Sequence, residues 1–238
     1  MRPAVRDELL RINRAFYQSL AGPFATTRRR LQPGVRGVLE RVAPSETVLD
    51  VGCGHGLAAE ALIRRGHRGF YLGIDASPAL IEMARRRAAA NWVQFAVVDV
   101  AHPGWLTGLV DVPVDWLLAF AVLHHLPDAA LRERVVGEMR SAIRPGARAA
   151  VSVWDFAGSE RFQRRVVGWE SIGLAAADVE PGDYLLDWRE GGTGVRYVHH
   201  FSPEELADLA NSADFEVVSQ FHSDGEGGNL GLYQVWAS

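Results

Sequence analysis

Apolar residues in this 238-residue chain recur in two alternating periods. Val5, Leu9, Ile12, Phe16 and Leu20 keep helical spacing, which predicts a helix over 4–20 broken by Gly22-Pro23. A second helix is expected over 34–42, stopping at Pro44. Short apolar runs and helix-period segments then take turns. Strand 46–51 leads to helix 57–65, closed by Gly66, and strand 69–74 leads to helix 78–90. Ser77 is placed to cap that helix, with Pro78 at its first position. Strand 92–98 precedes an irregular stretch holding Pro103, Gly104 and Pro113. Strand 114–120, helix 129–142 ended by Pro145-Gly146, and strand 147–154 follow. The alternation predicts an α/β fold: a mostly parallel, Rossmann-like sheet with helices on both faces.

The rhythm changes after residue 156. Residues 157–200 form a mixed, glycine-containing insertion without clear periodicity. Ser202-Pro203-Glu204-Glu205 opens a helix over 204–211 with a capping pattern. Strands at 214–222 and 230–237 flank the turn from Asp224 to Asn229, which predicts a C-terminal antiparallel hairpin. Without repeats or linkers, 1–238 is expected to be a single domain with an N-terminal helical cap over 1–43.

Hydrophobic content of 48% is enough for a sizeable core, and no apolar run approaches the length of a membrane span. The charges of Arg2, Arg6, Asp7, Glu8, Arg11 and Arg14 argue against a secretory signal. A single cysteine, Cys53, cannot form an internal disulfide and fits a reducing cytoplasm, the expected location. All 25 Lys and Arg residues are arginine, which removes Schiff-base and lysine general-base chemistry. The net charge of -4 is uneven: residues 1–90 hold 15 Arg against 8 acids, residues 91–238 hold 10 against 21. A basic N-terminal third suits a polyanion. The runs Arg28-Arg29-Arg30 and Arg85-Arg86-Arg87 read equally well as solvated helix ends.

The most informative run is Val48-Leu49-Asp50-Val51-Gly52-Cys53-Gly54-His55-Gly56. A strand ends in an acid, opens into glycines at every second position and passes into a helix. Such a turn lets the backbone approach a polar or anionic ligand at a helix N-terminus. A dinucleotide fingerprint would need its third glycine at position 57, where Leu57 stands. Gly-x-Gly-x-Gly after Asp50 instead resembles motif I of the class I S-adenosylmethionine methyltransferases.

That resemblance implies a seven-stranded sheet, S-adenosyl-L-methionine as cofactor and S-adenosyl-L-homocysteine as product. Gly52, Cys53, Gly54 and Gly56 would form the cofactor turn, with Cys53 a small filler rather than a nucleophile. Asp50, beneath the turn, would orient it or reach the cofactor's amino group through water. Asp75, at the end of the second strand, would take the ribose hydroxyls with Ala76 beside it. Asp99 and Val100 would face adenine. Phe120-Ala121-Val122-Leu123-His124-His125-Leu126 resembles the family's motif IV. Phe120 and Ala121 would flank the methionine moiety, and His125 would line the site. No His-x-x-x-His or Cys-x-x-Cys spacing is present, so no metal is expected.

Longer stretches are similar to one subfamily, the tRNA wobble-uridine carboxymethyl methyltransferases. They run from Phe16 to Arg28, over Pro33-Gly34-Val35, Val151-Ser152-Val153-Trp154, Gly182 to Trp188, Arg196 to Phe201, and the Asp224–Asn229 turn. Gln32 and Leu230 stand where that subfamily has tryptophan. The resemblance implies a carboxylate acceptor on tRNA, a small zinc-containing activator subunit and an insertion near the substrate. Residues 92–98 are a candidate edge for the activator, although core burial explains them equally. A carboxylate needs no general base; it needs positive charge and alignment. Arg28 and Arg196 are the candidate clamp, with His125 and His199 completing the pocket. Alternatively, Arg196 forms a surface ion pair with Glu190 or Asp187. An amine or hydroxyl acceptor would need His125 or His199 as base. Two other readings stay open: a small-molecule O- or N-methyltransferase, and a non-catalytic cofactor-binding partner protein.

Overall fold

A computed structural model describes residues 1–28, 30–109, 113–189 and 192–238. Three helices open the chain: α1 (Pro3–Ser19), α2 (Ala21–Thr27) and α3 (Pro33–Leu39). The alternating core follows as β1 (Val48–Val51), α4 (Leu57–Arg64), β2 (Tyr71–Asp75), α5 (Pro78–Arg87), β3 (Val93–Val97), β4 (Val114–Phe120), α6 (Ala129–Ala142) and β5 (Ile143–Trp154). The insertion holds α7 (Glu160–Gln163), β6 (Val166–Val167), β7 (Asp183–Trp188) and β8 (Gly194–His199). The chain closes with α8 (Pro203–Asn211), β9 (Glu216–Ser223) and β10 (Gly231–Ala237).

The main sheet has seven strands in the order β3-β2-β1-β4-β5-β10-β9. The first five are parallel; β10 runs antiparallel between β5 and β9, as the expected hairpin. Strand β1 is buried on both faces because helices cover the sheet on both sides. Val35, Val38 and Leu39 of α3 pack with Ala58, Ala59 and Leu62 of α4 on one face. Val135, Val136 and Met139 of α6 pack with Leu206 and Leu209 of α8 on the other. Strand order reverses between β1 and β4, so a crevice opens beyond their C-terminal ends.

Serine caps sit where the sequence placed them. Ser77 Oγ accepts from the Leu80 amide at 3.3 Å and Ser202 Oγ from the Glu205 amide at 3.0 Å. Arg85, Arg86 and Arg87 form the last turn of α5, with Arg86 and Arg87 ion-paired to Glu82 and Glu60. Strand β3 lies at the sheet edge, with Val97 47% exposed. No helix among the described residues is long and apolar enough to cross a membrane.

Three elements depart from the sequence expectation. Gly22-Pro23 falls inside α2, where Pro23 occupies the first turn and its missing N–H leaves no hydrogen bond unmade. Strand β5 begins at Ile143, directly after α6, so Pro145-Gly146 lie within a strand beside a register shift against β4. The insertion is a three-stranded antiparallel sheet, β6-β7-β8. Its apolar side is covered by α1, through Val5, Leu9 and Ile12 against Leu185 and Tyr197. Asn13 fixes that union: Oδ1 accepts from the Tyr197 amide at 2.8 Å, and Nδ2 donates to the carbonyls of Tyr197 and His125, each at 3.1 Å.

Candidate active site

Gly52, Gly54 and Gly56 all take positive φ, at 69°, 55° and 83°. A Cβ on Gly52 would run into Val122 Cγ2, whereas one on Gly54 would meet nothing within 4 Å. The Gly54 backbone thus faces open space: a cavity of about 390 Å³ at the strand-order reversal. That volume lies in the range of small-molecule and cofactor sites. Gly52, Cys53, Gly54, Asp75, Ala76, Asp99, Val100, Phe120, Ala121, Arg28 and His125 line it. Gly56 starts α4 behind the wall.

Backbone amides aim the acids. Asp75 accepts from Gly54 N at 3.0 Å and Ser77 N at 2.8 Å, which turns its carboxylate toward the cavity. Burial pushes it up to about 6. Asp99 accepts from Ala101 N at 2.9 Å and pairs with Arg14 Nε at 2.6 Å. Asp50 does not reach the cavity. It is 3% exposed, takes the Tyr71 hydroxyl proton as a hydrogen bond, and burial pushes it up to about 7. Its carboxylate lies under the turn and is bonded to Tyr71 instead of lining the cavity. Burial pushes the Cys53 thiol well up, away from the thiolate form.

Only one histidine of the pair faces the cavity. His124 Nδ1 accepts from the Trp154 amide at 3.3 Å, which puts its proton on Nε2, 3.1 Å from His125 Nε2. His125 Nδ1 donates to the Tyr197 carbonyl at 3.0 Å. Its Nε2 is then an acceptor, and the Tyr17 hydroxyl donates to it at 2.6 Å. Both rings are neutral in this arrangement. Burial, with the Arg196 charge next, lowers His125 to about 3; burial and the neighbouring His125 take His124 well below its usual range.

Arg28 reaches the wall, its Cζ 5.6 Å from the Trp154 ring centroid. Arg196 stacks on the same ring at 4.3 Å, with Phe16 and Trp188 at 5.2 and 5.3 Å. It is 1% exposed and stands one layer behind the cavity surface, hydrogen-bonded to Tyr17. Burial lowers its guanidinium to about 10, and Nε and Nη1 have no hydrogen-bond partner among the described residues. Asp187, one proposed surface partner, pairs with Arg189 at 2.6 Å; Glu190, the other, lies outside the described residues.

His199 is not at the pocket. It bridges Asp183 Oδ1 at 2.7 Å and Glu205 Oε1 at 2.8 Å, tying the insertion to α8. Strand parity explains this: Arg196 and His199 lie three apart on β8, hence on opposite faces. Glu205 serves that bridge rather than a capping box.

Arg14, Tyr17, Trp154, Asp224 and Tyr233 are among the wall residues that the sequence did not mark. Leu10, Asn13, Arg14 and Tyr17 follow i, i+3, i+4, i+7, a second stripe beside the apolar one that would have flagged α1. Asp224, at φ 67°, accepts from Gly34 N at 2.9 Å and Tyr233 Oη at 2.5 Å, joining the last loop to α3.

A family model described as a methyltransferase domain matches residues 48–146. A protein of Encephalitozoon cuniculi named as a methyltransferase is 30% identical over 208 residues, covering 85% of this chain and 86% of that one. The tRNA (carboxymethyluridine(34)-5-O)-methyltransferase of Macaca fascicularis is 27% identical over 138 residues, 58% of this chain but 19% of that protein. The Burkholderia thailandensis 1,6-didemethyltoxoflavin-N1-methyltransferase, solved with 1,6-didemethyltoxoflavin and S-adenosylhomocysteine, superposes with a TM-score of 0.67. It is 18% identical, and the match covers 99% of this chain and 90% of that one. The chain belongs to the S-adenosylmethionine-dependent methyltransferases. It is an enzyme of that class and uses S-adenosyl-L-methionine as methyl donor.

Proposed function

We propose that the methyl acceptor is a carboxylate and the product its methyl ester. The observation that carries this is the stacking of two guanidinium groups, Arg28 and Arg196, on Trp154, which walls the cavity beside a neutral histidine. Positive charge in a poorly hydrated site favours an anion. A histidine held near 3 is a poor base at neutral pH, so an acceptor that must lose a proton is disfavoured.

When bound, the cofactor supplies a methyl group on a positively charged sulfur. The glycine turn, Asp75 and Ala76 would hold its nucleoside side, and Phe120 and Ala121 its methionine side. A carboxylate oxygen forms the new C–O bond as the C–S bond breaks, and no proton moves. What remains for the protein is alignment, which Arg28, Tyr17 and His125 perform.

Two acceptors suit this chemistry. The resemblance to the wobble-uridine enzymes supports a carboxymethyl group on a tRNA uridine. The aromatic wall of Phe120, Trp154 and Tyr233 under the roof of α1 supports a small-molecule carboxylate instead. The same resemblance supports an activator subunit as partner, and the open β3 edge is the surface it would cover. 5-Carboxymethyluridine should bind the chain loaded with S-adenosylhomocysteine, and Arg28→Gln should weaken it about tenfold. Equal affinity in both proteins would overturn the carboxylate reading. Steep salt dependence of tRNA binding would select the first acceptor, and its absence the second.

A further inference from the structure

One group at the acceptor end received no role from the sequence: the hydroxyl of Tyr17. It sits between a buried cation and a neutral imidazole. Arg196 donates to its oxygen, and its own proton goes to His125 Nε2 at 2.6 Å. His125 Nε2 has one lone pair in the ring plane, yet two donors face it: the Tyr17 hydroxyl and His124 Nε2–H at 3.1 Å. A doubly served acceptor can lose one donor without being left unsatisfied, whereas a buried polar atom that loses its sole partner bears its full desolvation penalty. The Tyr17 proton is therefore the one hydrogen bond here that can be redirected at low cost.

We propose that Tyr17 is the acceptor-orienting donor of this enzyme. On binding, its hydroxyl turns from His125 to an oxygen of the acceptor carboxylate, and His124 takes over at His125 Nε2. This rests on the carboxylate reading given above. No proton leaves the tyrosine; a hydrogen bond changes partner. Arg196 remains bonded to the phenol oxygen, polarising the O–H toward the anion, and so acts on the acceptor through Tyr17 without touching it. His124 and Arg196 are positioning residues in this scheme. It also gives a use to His124, the member of the histidine pair that does not line the cavity.

The two partners of Tyr17 come from distant parts of the chain. Asn13 fixes α1 to both of them at once, through the carbonyl of His125 and the backbone of Tyr197, the neighbour of Arg196. Tyr17 stands one helical turn beyond Asn13, so the hydroxyl is placed against a fixed frame.

The test compares 5-carboxymethyluridine with its neutral carboxamide analogue, both titrated into the chain loaded with S-adenosylhomocysteine. Wild type should prefer the carboxylate at least tenfold. Tyr17→Phe should cut that preference about threefold to fivefold, the rest being held by Arg28, while S-adenosylhomocysteine affinity, which reports an intact fold, stays within about twofold. In wild type labelled with 15N-histidine, saturation with the carboxylate should move the His125 Nε2 signal as its strong donor departs. An undiminished preference in Tyr17→Phe, or an unmoved His125 signal, would overturn the assignment of Tyr17 and leave the carboxylate reading standing. Absence of any preference in wild type would overturn both.

Discussion

Tyr17 and His125, 108 positions apart, meet hydroxyl to Nε2 at 2.6 Å with their rings edge to face at 5.3 Å. The contact makes the first helix a wall of the acceptor end. In the proposed site the glycine turn and Asp75 would hold the cofactor end, while α1, the turn after β4 and the insertion strand β8 shape the other end together. Acceptor alignment and cofactor binding are thus proposed for different parts of the chain, and substitutions should separate them.

The acid at the end of β2 gives the clearest pH signature. Burial pushes Asp75 up to about 6, and in the proposed site it would accept ribose hydroxyls best when ionised. Affinity for S-adenosylhomocysteine should therefore fall as pH drops through about 6, measured by calorimetry. Asp75→Asn should bind about tenfold more weakly near pH 8 and show no such slope. An Asp75→Asn protein with wild-type affinity would misplace the cofactor.

Asp50 should set part of the stability profile. Its folded value near 7 lies above the ordinary carboxylate value near 4, so the folded state binds more protons between them. The stability linked to this group is complete below about pH 4 and is lost as pH rises through about 7. Asp50→Asn keeps an oxygen for the Tyr71 hydroxyl and removes the ionisation. Its denaturant midpoint should gain on wild type as pH rises from about 5 to about 8. Parallel profiles for the two proteins would contradict the buried, raised carboxyl.

The glycine turn should separate strain from obstruction. Gly52→Ala meets both a left-handed backbone and the Val122 side chain, and should cost at least about 2 kcal/mol in denaturant unfolding. Gly54→Ala meets the backbone penalty alone, about 1 kcal/mol, because its Cβ enters open cavity. There the larger effect should fall on S-adenosylhomocysteine affinity. The reverse order of stabilities would mean that the turn is built differently.

His199 should act on the fold and not on the cofactor. Its removal leaves Asp183 buried with one partner fewer, so His199→Ala should destabilise the chain by about 2–3 kcal/mol. Hydrogen bonds to Asp183 and Glu205 outweigh burial and raise the imidazole above its usual value. That stability is present in full below about pH 6.5 and declines as pH rises through the raised value. Affinity for S-adenosylhomocysteine should stay within about twofold; a tenfold loss would return His199 to the site.

The glycine-turn side of the cavity was legible in the sequence because its determinants are local. Strand β1, three alternating glycines and α4 occupy one run of about twenty residues, and Asp75 and Asp99 follow directly from strand ends. The acceptor half depends on contacts between α1 and the insertion, whose strands β7 and β8 are short and show no clean alternation. Nothing near Arg196 announces that Trp154 and Tyr17 will enclose it. Strand parity could have separated Arg196 from His199, had the insertion been recognised as a sheet.

The central claim, a carboxylate acceptor, is tested most directly by the alkali lability of the product. The enzyme would be incubated with S-adenosylmethionine labelled in its methyl group and with tRNA and small-molecule carboxylate fractions, and the labelled product treated with mild base. A methyl ester releases the label as volatile methanol, and that is the predicted result. Label that stays in an alkali-stable product would identify a nitrogen or hydroxyl acceptor and contradict it.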